Sequence, residues 1–203
     1  ASGKLSCFRS SGILRWEVPD KKVIGAPAID GEGNVLFKTD SKFWAYDRNG
    51  ILLREWRLDD RIEIDAISHV AIGPGNAAYF TKNKTLYRVN LEGNGAMAKF
   101  RSIDGPFITT PAIASDTTIY VGTDDGYLYA VTKDMNTTHF KFTFDGIEEW
   151  SAPLISDGTV YAGNADGFLY AINSHQGAGL ANSAWPMHRC NGQHSANPEV
   201  ILP

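Results

Sequence analysis

Residues 119–131 read IYVGTDDGYLYAV, and residues 160–172 read VYAGNADGFLYAI. A short proline-containing segment precedes each copy, TPAIA at 110–114 and APLIS at 152–156. Pro111 and Pro153 are 42 residues apart, so the two copies belong to one repeating unit. Self-similarity at a fixed period indicates a structural unit that packs against copies of itself.

Two weaker copies of the unit lie upstream. The segment 26–30 reads APAID and precedes VLFKTDSKFWAY, whereas 68–72 reads SHVAI and precedes AYFTKNKTLYRV. His69 stands where the other three copies have proline. A period of 40 to 45 residues with several short β-rich segments per unit is typical of β-propeller blades. The sequence therefore predicts an all-β propeller of four-stranded antiparallel blades.

The unit that begins near Phe107 shows how its strands are separated. Asp124-Asp125-Gly126 lies between two apolar runs and predicts a hairpin turn, because Asp-Gly tolerates positive φ. The small residues of TPAIA predict an innermost strand, where sheets crowd around the axis. The aromatic residues, such as Tyr120 and Tyr129, predict packing between blades.

The repeats predict about five blades in a single domain. The units are a partial one at about 1–20, then 21–63, 64–105, 106–146 and 147–203. We expect the N- and C-terminal segments to close the ring. Residues 199–203 (EVILP) would be the fourth strand of the last blade or would pair with the incomplete first blade. An alternative is that the chain is the C-terminal part of a longer protein and forms an incomplete arc.

Composition excludes several classes of function. The 203 residues are 43% hydrophobic and 21% charged, which is ordinary for a globular protein. A net charge of −4 gives no overall attraction to nucleic acid or to anionic lipid. No apolar run approaches the roughly 20 residues that a membrane helix needs. We therefore predict neither a nucleic-acid partner nor membrane insertion.

The two cysteines, Cys7 and Cys190, lie near opposite ends of the chain. A disulfide between them would join the first and last blades and close a long loop, for which chain-entropy models give about 4 to 5 kcal/mol. The other interpretation is two unpaired thiols that pack as small apolar side chains. The sequence leaves both open.

Several of these strings resemble a known family. The segments 111–131 and 153–172 resemble the pyrroloquinoline quinone-like propeller repeat. Residues 180–198 (LANSAWPMHRCNGQHSANP) resemble the Trp-Pro-Met-containing terminal segment of bacterial proteins that carry such repeats. The resemblance covers most of the chain, and it is specific for the fold rather than for a chemistry.

The resemblance also bears on catalysis. Quinone dehydrogenases of this family are larger and hold the cofactor over the axis with calcium, a catalytic Asp and often a pair of adjacent cysteines. This chain has no adjacent cysteines, no Asp that can be matched by position, and no G-x-S-x-G or H-E-x-x-H motif. The resemblance therefore favours a non-catalytic scaffold that binds a ligand or a protein and needs no cofactor. The alternative is a degenerate quinoprotein domain that binds pyrroloquinoline quinone with calcium.

By the same resemblance, we expect a protein, peptide or glycan partner in an extracytoplasmic setting. Loops that enter the innermost strands of a propeller converge on one mouth of its channel. The residues predicted to contact a ligand there combine charge with aromatic surface: Lys22, Arg61, Glu63, Asp65, His69, Phe107, Glu148, Glu149 and Trp150. The other interpretation of this set is that Trp150 packs between blades and that the charges are merely solvated.

The histidines allow two further interpretations. His69 would lie near the axis, where it either contacts a ligand or serves as a hydrogen-bonded structural residue. His188, Cys190 and His194 are zinc-ligand types, but their spacing is not a standard one and no fourth ligand stands out. We predict no metal site.

Overall fold

The computed structural model of the protein describes residues 4–19, 21–58, 68–143, 150–165 and 167–188. This part of the chain is all-β, with 17 strands in five antiparallel sheets and a single 3₁₀ turn at His175–Gly177. The prediction of an all-β protein with four-stranded antiparallel sheets is confirmed. No helix among these residues is long and apolar enough to span a bilayer.

The sheets follow one another along the chain, and each is a simple meander. Sheet 1 has two strands, sheets 2 to 4 have four each, and sheet 5 has three. Sheet 1 contains β1 (Leu5–Phe8) and β2 (Leu14–Val18). Sheet 2 contains β3 (Ile24–Ile29), β4 (Val35–Lys38), β5 (Lys42–Tyr46) and β6 (Leu52–Arg57). Sheet 3 contains β7 (Ala71–Gly73), β8 (Ala77–Lys82), β9 (Thr85–Asn90) and β10 (Met97–Arg101). Sheet 4 contains β11 (Ala112–Ile113), β12 (Ile119–Gly122), β13 (Leu128–Val131) and β14 (Thr138–Phe142). Sheet 5 contains β15 (Leu154–Ser156), β16 (Thr159–Gly163) and β17 (Leu169–Asn173).

The sheets lie inside the repeat units read from the sequence, and the two strands of sheet 1 fall in the partial first unit. Residues 199–203 lie outside the described residues, so the complete blade count and the closure of the ring stay predictions. No sheet among the described residues closes on itself.

The hairpin turns follow from glycine and aspartate. Gly12, between β1 and β2, and Gly50, between β5 and β6, both have φ of +80°, a conformation that favours glycine. In the second of these turns, the Asp47 carboxylate accepts hydrogen bonds from the backbone N–H groups of Asn49 and Ile51, each at 2.8 Å. The turn residues thus set where the third strand ends and the fourth begins.

Apolar side chains between neighbouring sheets form the core. One buried cluster lies between sheets 2 and 3 and includes Phe43, Phe80 and Tyr87. Corresponding clusters lie between sheets 3 and 4 and between sheets 4 and 5. Strand β11 contacts β7 on one side and β15 on the other, so the first strands converge. This places the small residues of the repeat at the narrow inner edge, as predicted.

The inner edges of two sheets are covered by the chain's own segment 178–188. The backbone N–H of Ile72 in β7 donates to the Trp185 carbonyl oxygen at 2.6 Å, and the Ile113 N–H in β11 donates to the Pro186 carbonyl oxygen at 2.9 Å. The Ala181 N–H returns a bond to the Ile113 carbonyl oxygen at 2.9 Å. Buried backbone groups need such partners, so this segment belongs to the folded core rather than to a loose tail.

Met187 anchors that segment, because it is buried in the cluster between sheets 4 and 5. We expect Met187→Ala to lower the free energy of unfolding by about 2 to 4 kcal/mol, through lost burial and the cavity left behind. Chemical denaturation measures the change. Ile103→Ala, at a highly exposed site, is the control and should change stability by less than about 0.5 kcal/mol. Equal, small effects would show that 178–188 is not docked.

A buried lysine joins sheets 2 and 3. The Lys38 ammonium group at the end of β4 donates to the Ser68 hydroxyl oxygen at 3.0 Å and to the Thr81 carbonyl oxygen at 2.9 Å. Burial, with a smaller contribution from Lys82, lowers the pKa of Lys38 to about 7. Between this pKa and the unfolded value of 10.5, the unfolded chain binds more protons than the folded one. Stability contributed by this group therefore increases as pH rises through that window.

We expect the wild type to gain about 1 to 3 kcal/mol of unfolding free energy relative to Lys38→Met between pH 7 and pH 10, because only the wild type loses a buried charge there. Urea unfolding of both proteins at several pH values gives the difference, and other titrating groups cancel in it. A difference that does not change with pH would contradict the shifted pKa.

Candidate functional site

The structure buries both aromatic residues that the sequence assigned to the channel mouth. Trp150 is 4% exposed, and Phe107 is fully buried. The Trp150 ring meets the edge of Tyr170 with ring centroids 5.4 Å apart, and its Cβ lies close to Gly122, where a side chain would collide with it. The expectation of an exposed stacking surface at Trp150 and Phe107 is therefore wrong. Packing of Trp150 between blades, the alternative interpretation, is confirmed.

The charged residues of that prediction fall into two groups. Lys22 is exposed in the connection between β2 and β3, and its ammonium group lies 3.8 Å from a carboxylate oxygen of Asp40. Such a solvated ion pair contributes little to stability. The remaining charged residues lie outside the described residues, and their ligand-binding role stays a prediction: Arg61, Glu63, Asp65, Glu148 and Glu149.

His69 is held by structural contacts. Its ring Nδ1 atom accepts a hydrogen bond from the Ala26 backbone N–H at 2.6 Å, and the backbone N–H of His69 donates to the Thr110 hydroxyl oxygen at 2.9 Å. Its ring stacks on the His188 ring with centroids 4.6 Å apart. These contacts link the entries to the first strands of sheets 2, 3 and 4, which fits the structural interpretation of His69.

Only one of the two cysteines lies among the described residues. Cys7 is half-buried in β1, opposite Trp16 of β2. Cys190 lies outside the described residues, so the Cys7–Cys190 disulfide stays a prediction. The same holds for any ligand role of His194.

The loop 102–107, between β10 and β11, is held by several hydrogen bonds at the predicted mouth. Ile103 in this loop has 86% of its surface exposed, the highest value among the large apolar residues that the structure describes. On either side of Ile103, the loop is fixed by hydrogen bonds to sheets 3 and 4. The Ser102 N–H donates to the Lys84 carbonyl oxygen at 2.7 Å, and the Phe107 N–H donates to the Asn83 carbonyl oxygen at 2.8 Å.

Asp104 is the centre of this fixation. Its carboxylate accepts hydrogen bonds from the Tyr129 hydroxyl and, at 3.0 Å, from the Lys141 ammonium group. Its backbone carbonyl oxygen accepts from the Lys84 ammonium group at 2.6 Å. Partial burial would raise the pKa of Asp104, but the Tyr129 and Lys141 hydrogen bonds outweigh it and lower that pKa. Asp104 is therefore an anion at neutral pH.

Tyr129, the partner of Asp104, keeps its hydroxyl proton at neutral pH. Burial, reinforced by the hydrogen bond to Asp104, raises the pKa of Tyr129 to about 12. The hydroxyl thus remains a donor at neutral pH, and it also lies 3.2 Å from the Ser102 hydroxyl. Because Tyr129 is almost completely buried, this arrangement holds the loop in place and offers no accessible proton donor for catalysis.

The turn residues Asp124 and Asp125 hold the far side of the loop. The Gly105 N–H donates to the Asp125 carboxylate at 2.6 Å, and the Asp124 N–H donates to the Pro106 carbonyl oxygen at 3.0 Å. A Cβ atom at Gly105 would overlap both carboxylates. Burial and the neighbouring Asp125 raise the pKa of Asp124. The Asp124-Asp125-Gly126 turn, predicted only as a hairpin, thus also supports the loop.

Sequence reasoning missed Ile103 and Asp104. The available signal was an isolated apolar residue beside Asp-Gly-Pro in a connection that otherwise reads as a turn. Nothing in the sequence shows that Asp104 meets Tyr129 and Lys141, because those residues come from two later strands.

Binding of the quinone cofactor of the resembled dehydrogenases stays a prediction. The described residues include no group of three or more His, Cys, Asp and Glu side chains able to hold a metal ion. The inner edges of β7 and β11, which face the axis where such enzymes hold the quinone, already pair with segment 178–188. We therefore derive no chemistry from that cofactor.

Comparison with solved structures shows the same fold. BamB from Moraxella catarrhalis has a TM-score of 0.67 and 19% identity, over 85% of this chain and 52% of that chain. Virginiamycin B lyase from Staphylococcus aureus has a TM-score of 0.60 and 15% identity, over 85% and 63%. A protein of unknown function from Bacteroides caccae has a TM-score of 0.55 and 12% identity, over 89% and 78%. The chain thus spans about half the length of the BamB chain.

A search of curated protein sequences gives no match. The family model described as outer membrane protein assembly factor BamB matches residues 81–189, which is more than half of the chain. That match includes sheet 4, most of sheet 3, all of sheet 5 and segment 178–188. The chain belongs to this BamB family of pyrroloquinoline quinone-like repeat proteins.

Proposed function

We propose that the protein is a non-catalytic scaffold that binds a partner protein during assembly at the outer membrane. Membership of a family named for outer membrane protein assembly supports the assembly role. The loop 102–107 carries the binding proposal, because it presents Ile103 to solvent on a backbone fixed to two sheets.

The chemistry of this loop suits a protein partner. A projecting isoleucine fits a pocket on another macromolecule, whereas small ligands require a concave site. Binding energy at protein interfaces concentrates in a few apolar or aromatic anchors surrounded by polar groups. Lys141 and Asp104 provide such a polar surrounding. Since the loop is already ordered, little conformational entropy is lost when a partner binds.

An extracytoplasmic setting fits this proposal, because a factor for outer membrane protein assembly acts outside the cytoplasm. The same setting is compatible with the predicted Cys7–Cys190 disulfide, since oxidising compartments maintain such bonds. The partner sought is therefore an outer membrane protein or a component of the machinery that assembles it.

We expect Ile103→Asp to reduce capture of that partner at least about tenfold. Burial of one isoleucine side chain in an interface strengthens binding by about that factor or more, and the substitution removes this contribution. The immobilised protein is incubated with a detergent-solubilised bacterial outer membrane fraction, and retained proteins are quantified by mass spectrometry. The melting temperature should not change, because Ile103 makes no buried contact.

Ile51→Asp is the matched control, because Ile51 is also a well-exposed isoleucine but lies in the turn between β5 and β6 of sheet 2, whereas the loop bonds to sheets 3 and 4. It should leave capture unchanged. Equal capture by the wild type and Ile103→Asp, or retention of no outer membrane assembly component by the wild type, would contradict the proposed site or role.

A second expectation concerns the quinone alternative. Because segment 178–188 covers the inner edges of β7 and β11, pyrroloquinoline quinone with calcium should leave the melting temperature unchanged even at millimolar concentration. A ligand that binds only the folded state would raise it. Differential scanning calorimetry makes the comparison, and a concentration-dependent increase would restore the quinoprotein interpretation.

A further inference from the structure

The turn between β5 and β6 presents three consecutive aliphatic side chains to solvent. Ile51 is 63% exposed, Leu52 45% and Leu53 52%. They belong to turn 47–53 at the outer edge of sheet 2. Sheet 2 packs on sheet 1 on one side and on sheet 3 on the other, so this exposure does not arise at an end of the row of sheets. Exposed apolar runs of this length are avoided on soluble surfaces unless they have a function.

Sheet 4 shows that the fold does not require these aliphatic residues. The fourth strand has a β-bulge against the third strand in both sheets, and the extra residue is Leu53 in sheet 2 and His139 in sheet 4. Thr137, Thr138 and His139 therefore occupy in sheet 4 the positions of the three aliphatic residues in sheet 2. Because polar residues build the same bulged strand, the run in sheet 2 serves something other than the turn itself.

Arginine side chains surround the aliphatic run. Arg48 and Arg54 flank it in the sequence, and each guanidinium donates to a backbone carbonyl oxygen, at 3.4 and 3.2 Å. Arg15 reaches the turn from β2 and donates to the Asn49 side-chain oxygen at 3.0 Å. The ion pairs formed by the described residues include none of these three arginines. Their positive charge is therefore available to an anionic ligand.

The charge of this region is opposite in sign to that of the whole chain. Residues 42–57 contain four basic and two acidic side chains, whereas the chain has a net charge of −4. Of the two acidic residues, Glu55 pairs with Lys42 at 2.5 Å, and Asp47 accepts backbone hydrogen bonds within the turn. Salt limits the reach of each charge to about 10 Å. A ligand at this turn therefore meets the local positive charge rather than the negative charge of the whole protein.

Hydrogen bonds satisfy much of the turn's backbone. The Asp47 N–H donates to the Ile51 carbonyl oxygen at 2.9 Å, and the Gly50 N–H donates to the Asp47 carbonyl oxygen at 3.0 Å. The Asp47 carboxylate accepts from two further N–H groups, at 2.8 Å each. The Trp16 ring N–H donates to the Arg48 carbonyl oxygen at 2.9 Å. Unpaired peptide groups make entry into lipid costly, so these bonds lower the cost of placing the turn in a bilayer interface.

We propose that turn 47–53 docks the protein on the surface of a bilayer that contains anionic lipid. The three aliphatic side chains enter the boundary between headgroups and acyl chains, and the neighbouring arginines contact the lipid phosphates. A bilayer surface offers hydrocarbon and phosphate in adjacent layers. Aliphatic residues flanked by arginine match those layers, because leucine and isoleucine favour hydrocarbon and guanidinium groups bind phosphate. The contact is peripheral and needs no membrane span.

Docking through this turn sets the orientation of loop 102–107. Turn 47–53 joins a third strand to a fourth strand, whereas loop 102–107 joins a fourth strand to the first strand of the next sheet. In antiparallel meanders these two kinds of connection lie at opposite ends of the strands. The loop is then held away from the bilayer, where a partner can reach it. The docking site uses no residue of that loop, so it does not rest on the proposed function.

Vesicle co-sedimentation tests the proposal with two lipid compositions, equal parts of phosphatidylglycerol and phosphatidylcholine, and phosphatidylcholine alone. The protein should bind the anionic vesicles more tightly than the neutral ones, and added salt should weaken that binding. Leu53→Asp should weaken it at least about tenfold, because an aliphatic side chain is lost and a repelled charge is added. Arg48→Gln should weaken it about fivefold, through the loss of one charge near the surface.

Thr137→Asp is the matched control, because it adds the same charge at the corresponding turn of sheet 4. It should bind vesicles as the wild type does. All three variants should keep the melting temperature of the wild type, since Leu53, Arg48 and Thr137 are exposed.

Three outcomes would overturn the proposal. The first is a wild type that stays in the supernatant with anionic vesicles, and the second is equal binding by the wild type and Leu53→Asp. The third is equal binding to both lipid compositions, which would exclude an anionic surface as the ligand. Capture of a protein by the wild type but not by Leu53→Asp, without vesicle binding, would assign the turn to a protein partner instead. The capture experiment with Ile103→Asp contains detergent and no bilayer, so each proposal can fail without the other.

Discussion

Burial of each sheet by the next is the interaction on which this structure depends. A single four-stranded antiparallel sheet has two faces, and here both carry apolar residues, so no sheet can bury its own surface. The cluster with Phe43, Phe80 and Tyr87 is formed jointly by sheets 2 and 3, and every later cluster is shared in the same way. Stability is therefore a property of neighbouring pairs.

The repeat predicted the fold because its signals are local. Turn glycines, small residues on first strands and aromatic residues on third strands lie within one unit, so their spacing can be read from the chain. Gly12 and Gly50, in the turns of two successive sheets, even share the same backbone angle. Pairing of segment 178–188 with β7 and β11 carries no such periodic signal, since it joins residues from different units.

The site was harder to predict for the same reason. Trp150 follows two glutamates in a connecting segment, a context that suggests exposure, yet its position in the repeat places it against Gly122 of the neighbouring sheet. Ile103 looks like an ordinary apolar residue in the sequence, and only the fixation of Asp104 by Tyr129 and Lys141 shows that it stands on a rigid support. The order of this loop therefore depends on strands that are distant in the sequence.

Segment 178–188 also determines when folding can finish. The Ser183 hydroxyl bonds to the Ile72 carbonyl oxygen across 111 residues of sequence, a separation that makes this contact slow to form. On the ribosome, sheets 3 and 4 emerge long before their inner edges receive these partners, and they must remain soluble with those edges unpaired. At this stage the nascent chain exposes the most unpaired strand edges, and a chaperone that binds such edges protects it most effectively then.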